Sequence, residues 1–145
     1  MDKWRESSAG YLANHMARVF ARALSRRIEP LGLAPGQFMV LLELWQKDGV
    51  SQKSIVQSLD VEQATIANTL ARMERDGLIV RRSHPADARA QTIHLSRKGR
   101  ALQPEAIAAA EEVNNRALSS LRKQEREQFL AAMRLAIAAL KMDEN

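Results

Sequence analysis

The chain has 145 residues, enough for one domain with a modest core, and 46% of them are hydrophobic while only 4% are aromatic. Its formal charge of +5 at pH 7 suits an anionic partner, without by itself separating duplex DNA from RNA or a membrane surface. It contains no cysteine, which excludes disulfides, thiol catalysis and cysteine-based redox sensing; no apolar run is long enough to span a bilayer, and the opening Met1-Asp2-Lys3-Trp4-Arg5-Glu6 has no signal-peptide core, so a cytoplasmic location is expected.

Residues 10–31 read as one long helix, because Leu12, Met16, Val19, Phe20, Ala23, Leu24, Ile28 and Leu31 recur at helical spacing. This stripe is broader than a lone surface helix needs, so the C-terminal helices of the same chain or of a second copy have to cover it. The opposite face carries His15, Arg18, Arg22 and Arg26. A solvated cationic face is the simpler account; the sharper one pairs Arg18 or Arg22 with Glu111, Glu112 or Glu125, or with an anionic effector. Residues 32–36 break the helix, and Pro35 suits the first turn of the next. That helix, residues 37–47, holds Phe38, Met39, Leu41, Leu42, Leu44 and Trp45 and is apolar most of the way round, which implies burial. Trp45 fits a core anchor better than a ligand-stacking ring.

Residues 51–95 form the centre of the chain. Ile55, Val56 and Leu59 give a short amphipathic helix, and Asp60-Val61-Glu62 is a polar break. A second helix follows over residues 63–75, its inward stripe being Ile66, Leu70 and Met73. Gln63, Ala64, Ala67 and Asn68 then face away. Asp76-Gly77 ends it, with Gly77 supplying a left-handed residue. Residues 78–82 and 91–95 read as two strands around the loop 83–90. Helix, turn, helix and hairpin make a winged helix-turn-helix, whose second helix reads duplex DNA in the major groove.

Ser96 is a good N-cap for a helix reaching about residue 121, with Pro104 tolerated early or kinking it. Residues 122–124 form a polar joint, and a last helix carries Phe129, Leu130, Met133, Ile137 and Leu140 on one face. These apolar terminal helices exceed what one copy of this size can cover, which implies a homodimer with both chain ends intertwined. The fold class is therefore mainly α with a small β-hairpin wing: a single domain over 1–145, with a winged helix-turn-helix at about 35–96 flanked by dimerisation helices at about 8–31 and 97–145.

The reading helix carries chemistry suited to base edges. The amides of Gln63 and Asn68 can pair with the N6 and N7 edge of adenine, and Ala64 and Ala67 are small enough to meet a thymine methyl. Thr65 can donate to a phosphate. Ser51, Gln52 and Lys53 begin the preceding helix, where side chains and backbone N–H groups commonly meet phosphate. Arg72 and Arg75 can reach the backbone; Arg72 alternatively ties to Glu62 or Glu74. From Arg72 to Arg100 there are eight Lys or Arg against three acids (Glu74, Asp76, Asp87), an excess placed where a phosphate footprint is needed. Arg81 and Arg82 lie along the wing and can meet phosphates.

The order of residues resembles the MarR family of transcription regulators, and within it the SlyA-like branch. The resemblance is carried by Val61-Glu62-Gln63-Ala64-Thr65 at the turn and by residues 70–79, LARMERDGLI, running into the first strand. Asp87-Ala88-Arg89-Ala90 in the wing and Leu95-Ser96-Arg97-Lys98-Gly99 leaving it complete the set. It extends over nearly the whole chain. It implies that Arg89 enters the minor groove from the wing tip, where A·T-rich sequence deepens the negative potential, and that Asp87 fixes its guanidinium. It implies the same homodimer, which would present two reading helices about one helical turn apart and so call for an inverted-repeat operator; repression is the expected role, although the place of the operator relative to a promoter, which these residues do not encode, decides it. It also implies release by a small aromatic or phenolic effector in a crevice that Tyr11, His15, Arg18, Phe38, Met39 and Trp45 could line; the plainer account makes these six ordinary core and surface residues. Some positions depart from the family pattern. Asn68 stands in place of an arginine, Glu62 of a serine cap, Val56 of an alanine and Ala88 of a basic wing residue, so the operator sequence does not follow from the resemblance.

Catalysis is not expected. His15, His84 and His94 show no metal-ligand spacing, there is no nucleophile motif or glycine-rich phosphate loop, and no cofactor or metal is called for. Two non-enzymatic functions besides operator binding fit the same residues: a winged-helix module that binds protein, and a low-specificity nucleoid-type DNA binder.

Overall fold

The structure, a computed structural model, describes residues 2–84, 86–87 and 90–144. The wing-tip role expected of Arg89 thus lies outside the described residues, as does Ala88. The chain forms two compact units, Met1–Ala110 and Glu111–Asn145.

In the first unit a short helix α1 (Asp2–Ser7) precedes the long helix α2 (Ala9–Ile28). Ser8 separates them: its Oγ accepts the Tyr11 N–H at 3.2 Å and caps α2. The helix expected over 10–31 gives up its last turn to a 3-10 turn, Glu29–Leu31. Pro30 has no N–H with which to continue the α ladder. Helix α3 (Pro35–Gln46) begins with its proline at the first position, as anticipated, and buries Phe38, Val40, Leu41 and Leu44.

A two-residue strand β1 (Val50–Ser51), helices α4 (Gln52–Leu59) and α5 (Gln63–Arg75), and strands β2 (Ile79–Ser83) and β3 (Gln91–Leu95) follow. The sheet order is β1-β3-β2, antiparallel throughout, with Val50 opposite Ile93 and Arg81 opposite Ile93 on the other side. The sequence reading lacks β1, since two residues are too few to show a strand's alternation. Asp60 closes α4 in the left-handed region at φ 58°, which a short polar side chain tolerates. Gly77, at φ 76°, ends α5 as expected. The Leu78 N–H donates to the Met73 carbonyl at 2.9 Å and the Gly77 N–H to Glu74 at 3.1 Å. Leu78 is thereby part of the helix terminus, and the first long strand starts one residue later than predicted.

Where the chain leaves the wing it is fastened to the turn that enters it. The Ser96 N–H donates to the Leu78 carbonyl at 3.0 Å, Ser96 Oγ to Gly77 at 2.6 Å, and Lys98 Nζ to Asp76 at 3.0 Å. Ser96 Oγ also caps α6 (Arg97–Ala101) through the Gly99 N–H, the capping role expected of it. The single helix expected from Ser96 to about 121 is instead α6 and α7 (Gln103–Ala117), separated at Leu102. Pro104 sits in the first turn of α7, where its missing N–H costs little. One apolar core runs through this unit: Ile28 and Leu33, the inner faces of α3, α4 and α5, then Leu78, Ile79, Ile93, Leu95 and Ala106. Trp45 is part of its wall: its Nε1 donates to the Gly99 carbonyl at 3.0 Å and its ring meets Phe38 edge to face, centroids 6.0 Å apart.

The second unit holds the end of α7 and helix α8 (Lys123–Asp143). Glu125 Oε1 accepts the Arg122 N–H at 2.9 Å and starts α8. Leu130, Leu135, Ile137, Leu140 and Met142 are all exposed on it. No helix among the described residues is long and apolar enough to cross a membrane.

Candidate nucleic-acid interface

Burial of Ile66, Leu70 and Met73 fixes the rotation of α5. Gln63, Ala64, Thr65, Asn68 and Arg72 are exposed and Ala67 is half-buried, the arrangement that the apolar spacing predicts. The Thr69 hydroxyl donates back to the Thr65 carbonyl at 2.9 Å, leaving the Thr65 side chain on the outer surface. Glu62 occupies the N-cap without a side-chain capping bond, consistent with its replacing a better cap.

Side chains from several elements converge beside this helix. A cleft of about 500 Å³ is lined by Ser51, Gln52, Lys53 and Val56 at the start of α4, Gln63 at the start of α5, Arg81 on β2, and Ala90, Gln91 and Ile93. Five of these, Ser51, Gln52, Lys53, Gln63 and Arg81, are residues that sequence reasoning selects separately. Ser51 Oγ is occupied in accepting the Ser54 N–H at 3.1 Å, so its role is to cap α4 and aim the helix start at the cleft.

Strand register explains why the two wing arginines part company. Ile79, Arg81 and Ser83 lie on one face, opposite Leu95, Ile93 and Gln91; Val80 and Arg82 lie on the other, opposite His94 and Thr92. The first face starts as core and becomes polar outward, so Arg81 faces the cleft while Arg82 is exposed on the reverse side. Arg81 Nε lies 3.6 Å from Glu74 Oε1, and its side chain is 23% exposed. Glu74, one partner considered for Arg72, therefore serves Arg81, and Arg72 stays exposed. Gln91 is a cleft residue that sequence reasoning misses. A signal exists, because Gln91 shares the period-2 face of Ile93, but a polar residue at a strand end carries no separate mark.

Within the wing, the His84 N–H donates to Ala90, the Asp87 N–H to His84 and the Ala90 N–H to Asp87. His84 Nδ1 accepts the Ala86 N–H at 3.0 Å. Asp87 is exposed and engaged.

At the other end of α5, Arg75 Nε contacts Asp76 Oδ1 at 3.3 Å, which draws Arg75 toward the helix terminus. The Gln37 amide, and after it Arg75, hold the Asp76 carboxyl below its usual range. Asp48 closes a second junction: Oδ1 accepts the Leu95 N–H at 2.8 Å and Oδ2 pairs with Arg100 at 3.3 Å.

The six residues offered as an effector crevice divide. Phe38 is core, 3% exposed, and Trp45 is committed to Gly99 and Phe38, so these two are packing residues. Tyr11, His15, Arg18 and Met39 are set apart from that core: Tyr11 and Met39 are exposed, and the Tyr11 and His15 rings meet edge to face at 6.5 Å. Among the described residues no cluster of His, Asp or Glu could hold a metal ion.

Residues 33–90 match the model of the MarR family. The chain is 31% identical over 102 residues to the transcriptional regulator HosA of Escherichia coli O111:H-, covering 70% of this chain and 76% of that one. A probable transcriptional regulator from Pseudomonas aeruginosa has the same fold, with a TM-score of 0.83 at 29% identity over 90% of this chain and 98% of its own. The MepR–DNA complex of S. aureus gives 0.80 at 25% identity, over 93% and 98%. With the helices, the wing and these likenesses in agreement, the chain belongs to the MarR family and is a DNA-binding, winged-helix transcriptional regulator rather than an enzyme.

Proposed function

We propose that the protein binds an inverted-repeat operator as a homodimer, each copy placing α5 in the major groove and its wing along the adjacent backbone and minor groove. The observation that carries this is the convergence of Ser51, Gln52, Lys53, Gln63 and Arg81 on one cleft beside the exposed Ala64, Thr65 and Asn68. In this reading Gln63 and Asn68 meet base edges and Ala64 and Ala67 meet methyl groups. Thr65, Arg72, Arg75, Arg82 and the α4 start hold phosphates, and Arg89, steadied by Asp87, enters the minor groove. MepR, whose structure is a DNA complex, supports duplex DNA as the partner.

The homodimer is supported by the apolar residues left exposed: Leu135 at 72%, Leu140 at 68% and Met142 at 76% on α8, and Leu12 and Val19 on α2. Two copies would present reading helices about one helical turn apart, which is why the site should be an inverted repeat. Repression, release by a small aromatic ligand contacting Tyr11, His15, Arg18 and Met39, and a cytoplasmic location complete the reading.

Selection from a random duplex pool with purified protein at moderate salt tests it. Enrichment of an inverted repeat with A·T-rich flanks is expected. A folded dimer that enriches nothing, even after bound small molecules are stripped, would favour a protein-binding module or a low-specificity binder.

A further inference from the structure

Gln37 is the one polar side chain buried among the described residues, 7% exposed, and both ends of its amide are used. Oε1 accepts the Ala34 N–H at 3.1 Å, an orphan donor at the start of α3. Nε2 donates to Asp76 Oδ2 at 3.2 Å, across 39 residues of sequence. Asp76 is the C-cap of α5: its own N–H donates to the Arg72 and Glu74 carbonyls. A carboxylate is badly placed at that end of a helix, where the macrodipole is negative. Arg75, Lys98 and the Gln37 amide surround it with donors: Arg75 and Gln37 on the carboxylate, Lys98 on the backbone carbonyl. Of the two donors on the carboxylate, Gln37 is the one from outside α5, and it is buried and already bonded at the start of α3. The middle of α5 also lies against the start of α3: a methyl group on Gly36 would sit 3.8 Å from Thr69 Oγ1.

We propose that Gln37 is a positioning residue for DNA reading: through the Asp76 carboxylate it fixes the C-terminal end of α5 to α3, and so sets the angle at which Gln63 and Asn68 meet the bases. This rests on α5 being the reading helix. It differs from a purely structural role in what it controls. Loss of the tie lets α5 pivot while its core stripe keeps it folded, which degrades base contacts more than phosphate contacts.

The test compares affinity for the selected operator with affinity for a scrambled duplex of equal length, at mildly alkaline pH, for dimers verified as folded. Gln37→Glu sets two carboxylates against each other and should cut the operator-to-scrambled ratio about tenfold, the effect of one lost buried hydrogen bond. Gln37→Glu combined with Asp76→Asn reverses the donor and acceptor and should restore most of the ratio. If Gln37→Glu does not fold, Gln37→Leu removes the tie without adding charge and should lower the ratio likewise. A lowered melting temperature with an unchanged ratio, or a double variant no better than Gln37→Glu, overturns the positioning role. A wild-type protein with no preference between the duplexes overturns the DNA-reading assignment and this inference together.

Discussion

Gly99→Ala sets two effects against each other and tests the junction between α6 and the wing. In the middle of an exposed helix this change stabilises, because alanine is favoured over glycine by about 1 kcal/mol. Gly99 is buried, however, and a methyl group there would overlap the Leu78 carbonyl oxygen and lie 3.3 Å from both the Leu78 carbonyl carbon and Leu95 Cδ2. The obstacle is backbone, and that backbone is held: the same Leu78 oxygen accepts the Ser96 N–H at 3.0 Å. Relief requires α6 to move off the wing, which also strains the Trp45–Gly99 bond of 3.0 Å. Overpacking of this kind costs about 1–3 kcal/mol and a weakened hydrogen bond about 1 more. Against the propensity gain the net loss is about 2 kcal/mol. For a chain of this size that lowers the melting temperature by roughly 4–8 °C. Thermal unfolding followed by circular dichroism, at matched protein concentration because a dimer's stability depends on it, gives the answer. A variant as stable as the wild type would mean that α6 does not press on the Leu78 carbonyl.

Gly49→Ala should also destabilise, by about 1–2 kcal/mol, since φ is +73° and the added methyl would lie 2.9 Å from the His94 ring; chemical denaturation midpoints check this. Lys53→Ala should weaken binding to all duplexes similarly and make the salt dependence of log K shallower by about one, whereas Asn68→Ala should weaken operator binding selectively; titrations over a salt series separate the two. The Asp76 carboxyl is held low by Gln37 and then Arg75. A group lowered on folding adds stability above its unfolded value and loses it as pH falls through the folded one, so stability from this source should fade below about pH 4. Asp76→Asn should therefore show a smaller acid-induced drop in urea midpoint than the wild type.

Long-period signals are legible in this sequence and contacts between elements are not. The stripe Ile66, Leu70 and Met73 sets the rotation of α5, and Gly77 sets its end, because both follow from local geometry. Val50–Ser51 escapes notice because a two-residue strand is defined by its partner, Ile93 and Thr92, rather than by its own pattern. The helix end at Ile28 and the break at Leu102 follow from Pro30 and Pro104, whose effects depend on how the chain packs around them. For the site, individual residue types are enough to select Lys53, Gln63 and Arg81 separately. That β2 turns Arg81 into the cleft and Arg82 away depends on which strand face packs on the helices, which alternation alone leaves undecided for two adjacent arginines. Phe38 fits a crevice as a residue type, but it is buried, 3% exposed, as the plainer account of its helix expects.

Asp76 shows where local rules and the fold disagree. Read alone, Asp76-Gly77 is simply a helix stop. In the fold its charge opposes the helix dipole, and the conflict is resolved by donors 39 and 22 residues away in sequence. The start of α5 is the reverse case, since Glu62 makes no side-chain cap there. One end of the helix is therefore tied from three directions while the other begins without a side-chain cap. Gln63 and Ala64 lie at the end without a side-chain cap, and in helix-turn-helix proteins it is the N-terminal residues of the reading helix that meet the bases. On the proposed reading, a helix anchored at its far end holds these residues at one angle, and loosening the Asp76 junction should blur the preference for one sequence over another.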